Sequence, residues 1–167
     1  MKKLITICLL AFMMNCQEKK EHEIFKRKGE PNVVYFENSD EEMNIAVKNA
    51  KETLFEFEKA IQSNNPDYSN FTLKQEFDTS DGGGEHIWIG NIHLKDGKYY
   101  GIVQNEPVDP KVGVKLGDSV EVPAGKISDW MYNDKNTVKG AYTIKVMRKY
   151  MTPEEKKEMD AEGIIYE

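Results

Sequence analysis

Three residues could do acid–base chemistry because of what stands beside them. Glu85 and His86 lead into Trp88 in Glu85-His86-Ile87-Trp88, and Asp129 adjoins Trp130 in Ser128-Asp129-Trp130-Met131. Burial beside a large apolar ring can move the proton affinity of a carboxylate or an imidazole, and general acid–base catalysis needs two groups whose affinities lie apart. If the chain is an enzyme, the set to expect is hydrolase-like: Glu85 or Asp129 as base and His86 as its partner. A structural reading competes with this one, in which Asp129 and His86 make hydrogen bonds that fix strand ends. A third use is recognition. Glu85, His86, Trp88, Asn105, Asp129, Trp130 and Tyr132 would then form a binding face anchored by its aromatic rings.

Other chemistries find less support. Nucleophilic catalysis needs an activated hydroxyl or thiol, but there is no Gly-x-Ser-x-Gly turn, and Ser119 and Ser128 stand in ordinary strand or turn contexts. The glycines of Asp78 to Gly84 (DTSDGGG) are not followed by Gly-Lys-Ser/Thr, so they do not make a phosphate loop. For a metal, the histidines His86 and His93 would lie on one strand at positions of different parity. They are expected on opposite faces of the sheet, and neither a metal nor another cofactor is expected. The 167 residues carry 23 basic and 29 acidic side chains, a net charge of −6 that argues against nucleic acid.

The cysteines point to an address. Lys2 and Lys3 precede an uncharged apolar run, Leu4 to Met14 (LITICLLAFMM), too short to span a bilayer but suited to a signal peptide. Cys16 follows directly, as in the lipobox of bacterial lipoproteins, although Met13, Met14 and Asn15 are not the usual small residues. Cys8 would leave with the signal, and Cys16 would be the one thiol of the mature chain. Lipid on Cys16 would resolve that unpaired thiol and anchor the chain to the cell envelope, at the outer membrane if the envelope is Gram-negative. Loss of Lys2 and Lys3 makes the mature charge −8, so lipid and not charge would hold the chain to a membrane. The expected organisation is therefore a signal at 1–15, a lipidated Cys16 with a charged tether to residue 32, and one domain over 33–167.

These residues need elements to position them. Val33 to Phe36 reads as a short strand. Ser39 with Glu42 reads as a capping box, and Met43, Ala46, Val47, Ala50, Leu54, Phe57 and Ile61 form one apolar stripe of a long helix ended by Ser63 to Pro66. The period then changes to two. Phe71 to Phe77, His86 to Leu94, Tyr99 to Asn105, Val120 to Val122, Lys126 to Tyr132 and Ala141 to Met147 read as strands, with Asp96-Gly97 as a hairpin turn. Thr152 and Glu155 box a last short helix, stopped by Gly163. The class is α+β: a long N-terminal helix on a curved, mostly antiparallel, small barrel-like sheet, then a short C-terminal helix.

The same segments resemble the bacterial family called domain of unknown function 2314, or YegJ-like. The resemblance rests on Asp40-Glu41-Glu42-Met43, Glu85-His86-Ile87-Trp88, Gly101 through Asn105-Glu106-Pro107 and Gly117-Asp118. Ile127-Ser128-Asp129-Trp130-Met131-Tyr132 and Gly140-Ala141-Tyr142-Thr143 complete it, over about Asp40 to Arg148. The family usually has Gly where Ala141 stands. The resemblance implies a helix against a curved antiparallel sheet and no established reaction, cofactor or ligand. The leading expectation is a non-catalytic, lipid-anchored envelope module that binds a protein or cell-wall component. Its alternatives are the hydrolase above and an immunity-type inhibitor that meets a toxin with its acidic surface.

Overall fold

The computed structural model describes residues 22–25, 33–36, 40–161 and 165–166. The signal, Cys16 and Gly163 lie outside them. The chain divides into two units, Met1–Glu37 and Asn38–Glu167. In the first, β1 (His22–Phe25) pairs antiparallel with β2 (Val33–Phe36), from His22 opposite Phe36 to Phe25 opposite Val33. The strand read as the start of the domain thus finds its partner in the stretch read as tether.

The second unit opens with α1 (Glu41–Gln62). Its N-cap is Asp40, not Ser39: Asp40 Oδ1 accepts from the backbone N–H of Met43 at 2.8 Å. Glu41 and Glu42 place negative charge at the positive end of the helix dipole. Ala46, Ala50, Phe57 and Ala60 form the buried stripe. Phe57 packs edge-on against Phe71 at 5.6 Å between ring centres, and lies 6.0 Å from Trp130. Among the described residues no helix is long and apolar enough to cross a membrane.

Seven strands follow: β3 (Tyr68–Asp78), β4 (Gly84–Lys95), β5 (Lys98–Val103), β6 (Ser119–Val122), β7 (Ile127–Asp134), β8 (Thr137–Gly140) and β9 (Ile165–Tyr166). They make one sheet in the order β6-β5-β4-β3-β7-β8-β9, antiparallel except for the parallel β8–β9 pair. The sheet ends at β6 and β9 and does not close into a barrel. Asp96 (φ 51°) and Gly97 (φ 75°) make the two-residue turn between Lys95 and Lys98, the left-handed pair a tight hairpin requires.

One expected strand is a helix. The sequence pattern expects a strand over Ala141 to Met147, but α2 spans Tyr142–Tyr150. Gly140 (φ 77°) and Ala141 (φ 54°) turn the chain out of the ladder after the short β8, which the sequence reading did not foresee. A Cβ on Gly140 would sit 2.2 Å from the Trp130 carbonyl oxygen, so this turn needs glycine for space as well as for φ. The Asp129 carboxylate then receives the first backbone N–H groups of α2. Tertiary capping decides the element against local strand propensity. α3 (Pro153–Asp160) starts at the capping box of Thr152 and Glu155, as the sequence indicates.

Candidate functional site

The two faces of the sheet follow from its pairing. Leu73 on β3 pairs with Trp130 and Ile89, and all three are buried beneath α1. Lys74 and Glu76, at the alternating positions, belong to the opposite face with their partners Trp88 and His86. His86, His93 and Gln104 on that face are exposed, and Trp88, Tyr100 and Ile102 are half-buried.

A bulge brings β7 into this arrangement. Asp129 pairs with Lys74 and Ile127 with Gln75, so Ser128 is an extra residue opposite one step of β3. The side chains of Ser128 and Asp129, consecutive in sequence, therefore share the Lys74 face, and Ile127 and Trp130 both return to the core. Bulges re-aim side chains in just this way.

The resulting cluster is continuous. His86 Nδ1 lies 2.8 Å from Ser128 Oγ, and Ser128 Oγ donates to the Lys74 carbonyl at 3.2 Å. The Lys74 ammonium sits 5.1 Å from the centre of the Trp88 ring and donates to Thr143 Oγ1 at 3.1 Å. Thr143 Oγ1 in turn donates to Asp129 Oδ2 at 2.6 Å. Asp129 also accepts from the backbone N–H groups of Thr143 (2.8 Å), Tyr142 (3.2 Å) and Trp130 (2.8 Å). This carboxylate is wholly buried and serves as the N-terminal cap of a helix from a neighbouring strand.

The electrostatics follow from these contacts. Burial pushes the Asp129 carboxyl up, against the donors from Thr143, the Lys74 charge and the donor from Trp130, all of which favour the ionised form. Burial pushes the Lys74 ammonium down, and Asp129 pulls it back up. Desolvation and the Lys74 charge push the His86 imidazole below its ordinary value.

The seven residues of the expected binding face are therefore divided. His86 and Trp88 share the open face. Asp129 lies beneath it, without exposure. Trp130 and Tyr132 are core residues and cannot act as surface anchors: Trp130 Nε1 donates to the Ala50 carbonyl at 2.9 Å, and Tyr132 stacks on Phe71 with ring centres 5.4 Å apart. Glu85, one step from His86, accepts from the backbone N–H groups of Val108 (2.7 Å) and Asp109 (3.0 Å) and so holds the loop after β5. Asn105 Oδ1 accepts from the Trp88 N–H at 3.1 Å and fixes the start of that loop. The hydrolase set Glu85, His86 and Asp129 does not converge, because both carboxylates are occupied by backbone donors in different places.

Lys74, Ser128 and Thr143 are not among the site residues that the sequence proposes. The Lys74 in an otherwise half-apolar strand was the one available signal. The parity argument for His86 and His93 also needs correction. A second bulge, at Asn91 (φ 51°), lies between the Gly90–Ile102 and His93–Tyr100 pairs and returns His93 to the His86 face. The two imidazoles are nevertheless seven residues apart, roughly 20 Å along the strand. Among the described residues no group of three His, Cys, Asp or Glu side chains could hold a metal ion.

The class defined here is an α+β domain whose curved sheet has one face under a long helix and one open face crossed by a polar network. The chain belongs to the bacterial family described as "Uncharacterized protein conserved in bacteria (DUF2314)", whose profile matches residues 40–165. It is 36% identical over 141 residues to the Putative ankyrin repeat protein NMB1133/NMB1171 of Neisseria meningitidis serogroup B, covering 80% of this chain and 55% of that one. It is 29% identical over 102 residues to the Uncharacterized protein YegJ of Escherichia coli K12, covering 61% of this chain and 64% of that one. The chain thus spans somewhat over half the length of these relatives. No solved structure matches it.

Proposed function

We propose that this protein is a non-catalytic binding module, held at the bacterial cell envelope by lipid on Cys16, and that it meets a protein or cell-wall component with the open face around Trp88, His86 and Lys74. One observation carries the reading. The carboxylates best placed for acid–base work, Glu85 and Asp129, are each bonded to backbone N–H groups, whereas a half-buried Trp and an exposed His stand on an open sheet face. A ring and an imidazole held by their neighbours lose little freedom on contact with a partner, which favours binding.

Two measurements test it. Cys16→Ser should move the chain from the membrane fraction to the soluble one; a variant that stays with the membrane removes the anchor from the proposal. Crosslinking in native envelopes should give a product that Trp88→Ala abolishes while the fold, followed by circular dichroism, is retained. An unchanged product would place the contact elsewhere.

A further inference from the structure

The loop that joins β5 to β6 forms a second surface, at the strand ends. A recess of about 570 Å³ opens in it. Its apolar wall is Pro107, Val108, Pro110 and Val114. Val108 and Leu116, both in this loop, keep 44% and 54% of their surface exposed, which is high for aliphatic side chains.

The recess and the loops beside it carry acids that are fixed in place. Asp109 accepts from the N–H groups of Ser80 and Lys111, both at 2.8 Å, and so ties this loop to the one after β3. Asp81 accepts from the Thr79 hydroxyl (2.6 Å) and the Gly83 N–H (3.1 Å). Asp118 accepts from the Lys115 N–H at 3.0 Å, and Glu85 holds Val108 and Asp109 from below. Neutral N–H donors orient a carboxylate without cancelling its charge, and these bonds push Asp81 and Asp109 below the usual carboxylate range. Glu106 and Asp118 line the recess and Asp81 and Asp109 stand on the loops beside it; against these four acids stand Lys115 in the lining and Lys111. The balance is negative, on carboxylates that need not reorganise to meet a cation.

We propose that this loop end is a docking surface for a cationic amphipathic peptide segment of a partner protein, which seats an aliphatic side chain in the Val108 recess and lays Lys or Arg over Asp81, Asp109 and Asp118. An apolar recess with fixed acids in and beside it matches an apolar residue flanked by positive charge in both shape and sign. The surface does not depend on the role given to the Trp88 face, and either can fail alone.

The test uses the full chain and a synthetic peptide of alternating Lys and Leu, with a Glu–Leu peptide as control, followed by amide NMR shifts. The Lys–Leu peptide should shift Val108, Lys111, Val114, Leu116 and Gly83, and its affinity should fall about tenfold when salt is raised from low to physiological levels. Val108→Ser should weaken binding several-fold. Lys111→Gln, which leaves the backbone N–H to Asp109 intact, should strengthen it about twofold to fivefold. Absence of binding, shifts centred on the acids of α1 or α3, equal binding of the Glu–Leu peptide, or unchanged affinity in both variants would each overturn the proposal.

Discussion

The two tryptophans stand on opposite faces of one sheet and have opposite roles. Trp130 is 1% exposed, bonds to the Ala50 carbonyl, and locks α1 onto β7. Trp88 is half-buried, lies under a lysine, and keeps an edge in solvent. Both sit in strands, beside acidic or basic residues, in segments that look alike in sequence. The difference comes from which way each strand faces, and on β7 that is set by the single extra residue Ser128. Aromatic content alone therefore does not mark a binding face; register does.

The contrast can be broken most strongly by truncating each ring. Trp130→Ala should cost about 3–5 kcal/mol of stability, from the cavity and the lost bond to α1. Trp88→Ala should cost about 1 kcal/mol or less, the scale of a cross-strand pair. Urea unfolding of the two variants measures both, and equal losses would mean that the faces are not distinct in the way described.

Asp129→Ala comes next. It removes the acceptor for Tyr142, Thr143 and Trp130 and leaves buried N–H groups unpaired, at about 3 kcal/mol. Hydrogen exchange should quicken first in α2, with β4 and β5 little affected. Uniform acceleration over the domain would show that the carboxylate does not act as a local cap.

A smaller change has the opposite sign. Ala141 holds φ 54°, ψ 38°, a left-handed conformation that disfavours a Cβ. Ala141→Gly should raise stability by up to about 1 kcal/mol, seen as a higher unfolding midpoint. The resemblance to a family that usually has Gly here acquires a physical reason at this residue.

The smallest effect depends on pH. With its pKa depressed in the folded state, His86 stays neutral where the unfolded chain, at about 6.5, already takes up a proton. Its contribution is complete above that value and is lost as pH falls below it. His86→Gln should flatten this part of the stability curve between about pH 7 and 5. Parallel curves for the two proteins would show that His86 is not desolvated by its contacts with Ser128 and Lys74.

Parts of this were legible from local pattern. The apolar stripe of α1, the Asp96-Gly97 hairpin and the Thr152–Glu155 box each lie within one element, and local chemistry suffices to read them. The site was legible only in part. His86, Trp88 and Asp129 stood out because they combine polar and aromatic residues. Lys74 and Thr143 did not, because their meeting requires β3 and the start of α2, 69 residues apart, to converge on β7. The parity argument for His86 and His93 fails at Asn91, because a bulge inserts one residue and inverts the alternation beyond it, as Ser128 does on β7.

The sequence by itself determined the α+β class, the helix stripe, the hairpin and the acidic balance, because hydrophobic period, turn residues and charge are properties of neighbours along the chain. Only the tertiary structure decided which Trp is core, that Tyr142–Tyr150 is a helix, and that Glu85 and Asp129 hold backbone N–H groups in different places. Those outcomes depend on strand register and on which distant backbone donors lie within reach of a carboxylate. Neither is set until the sheet has assembled.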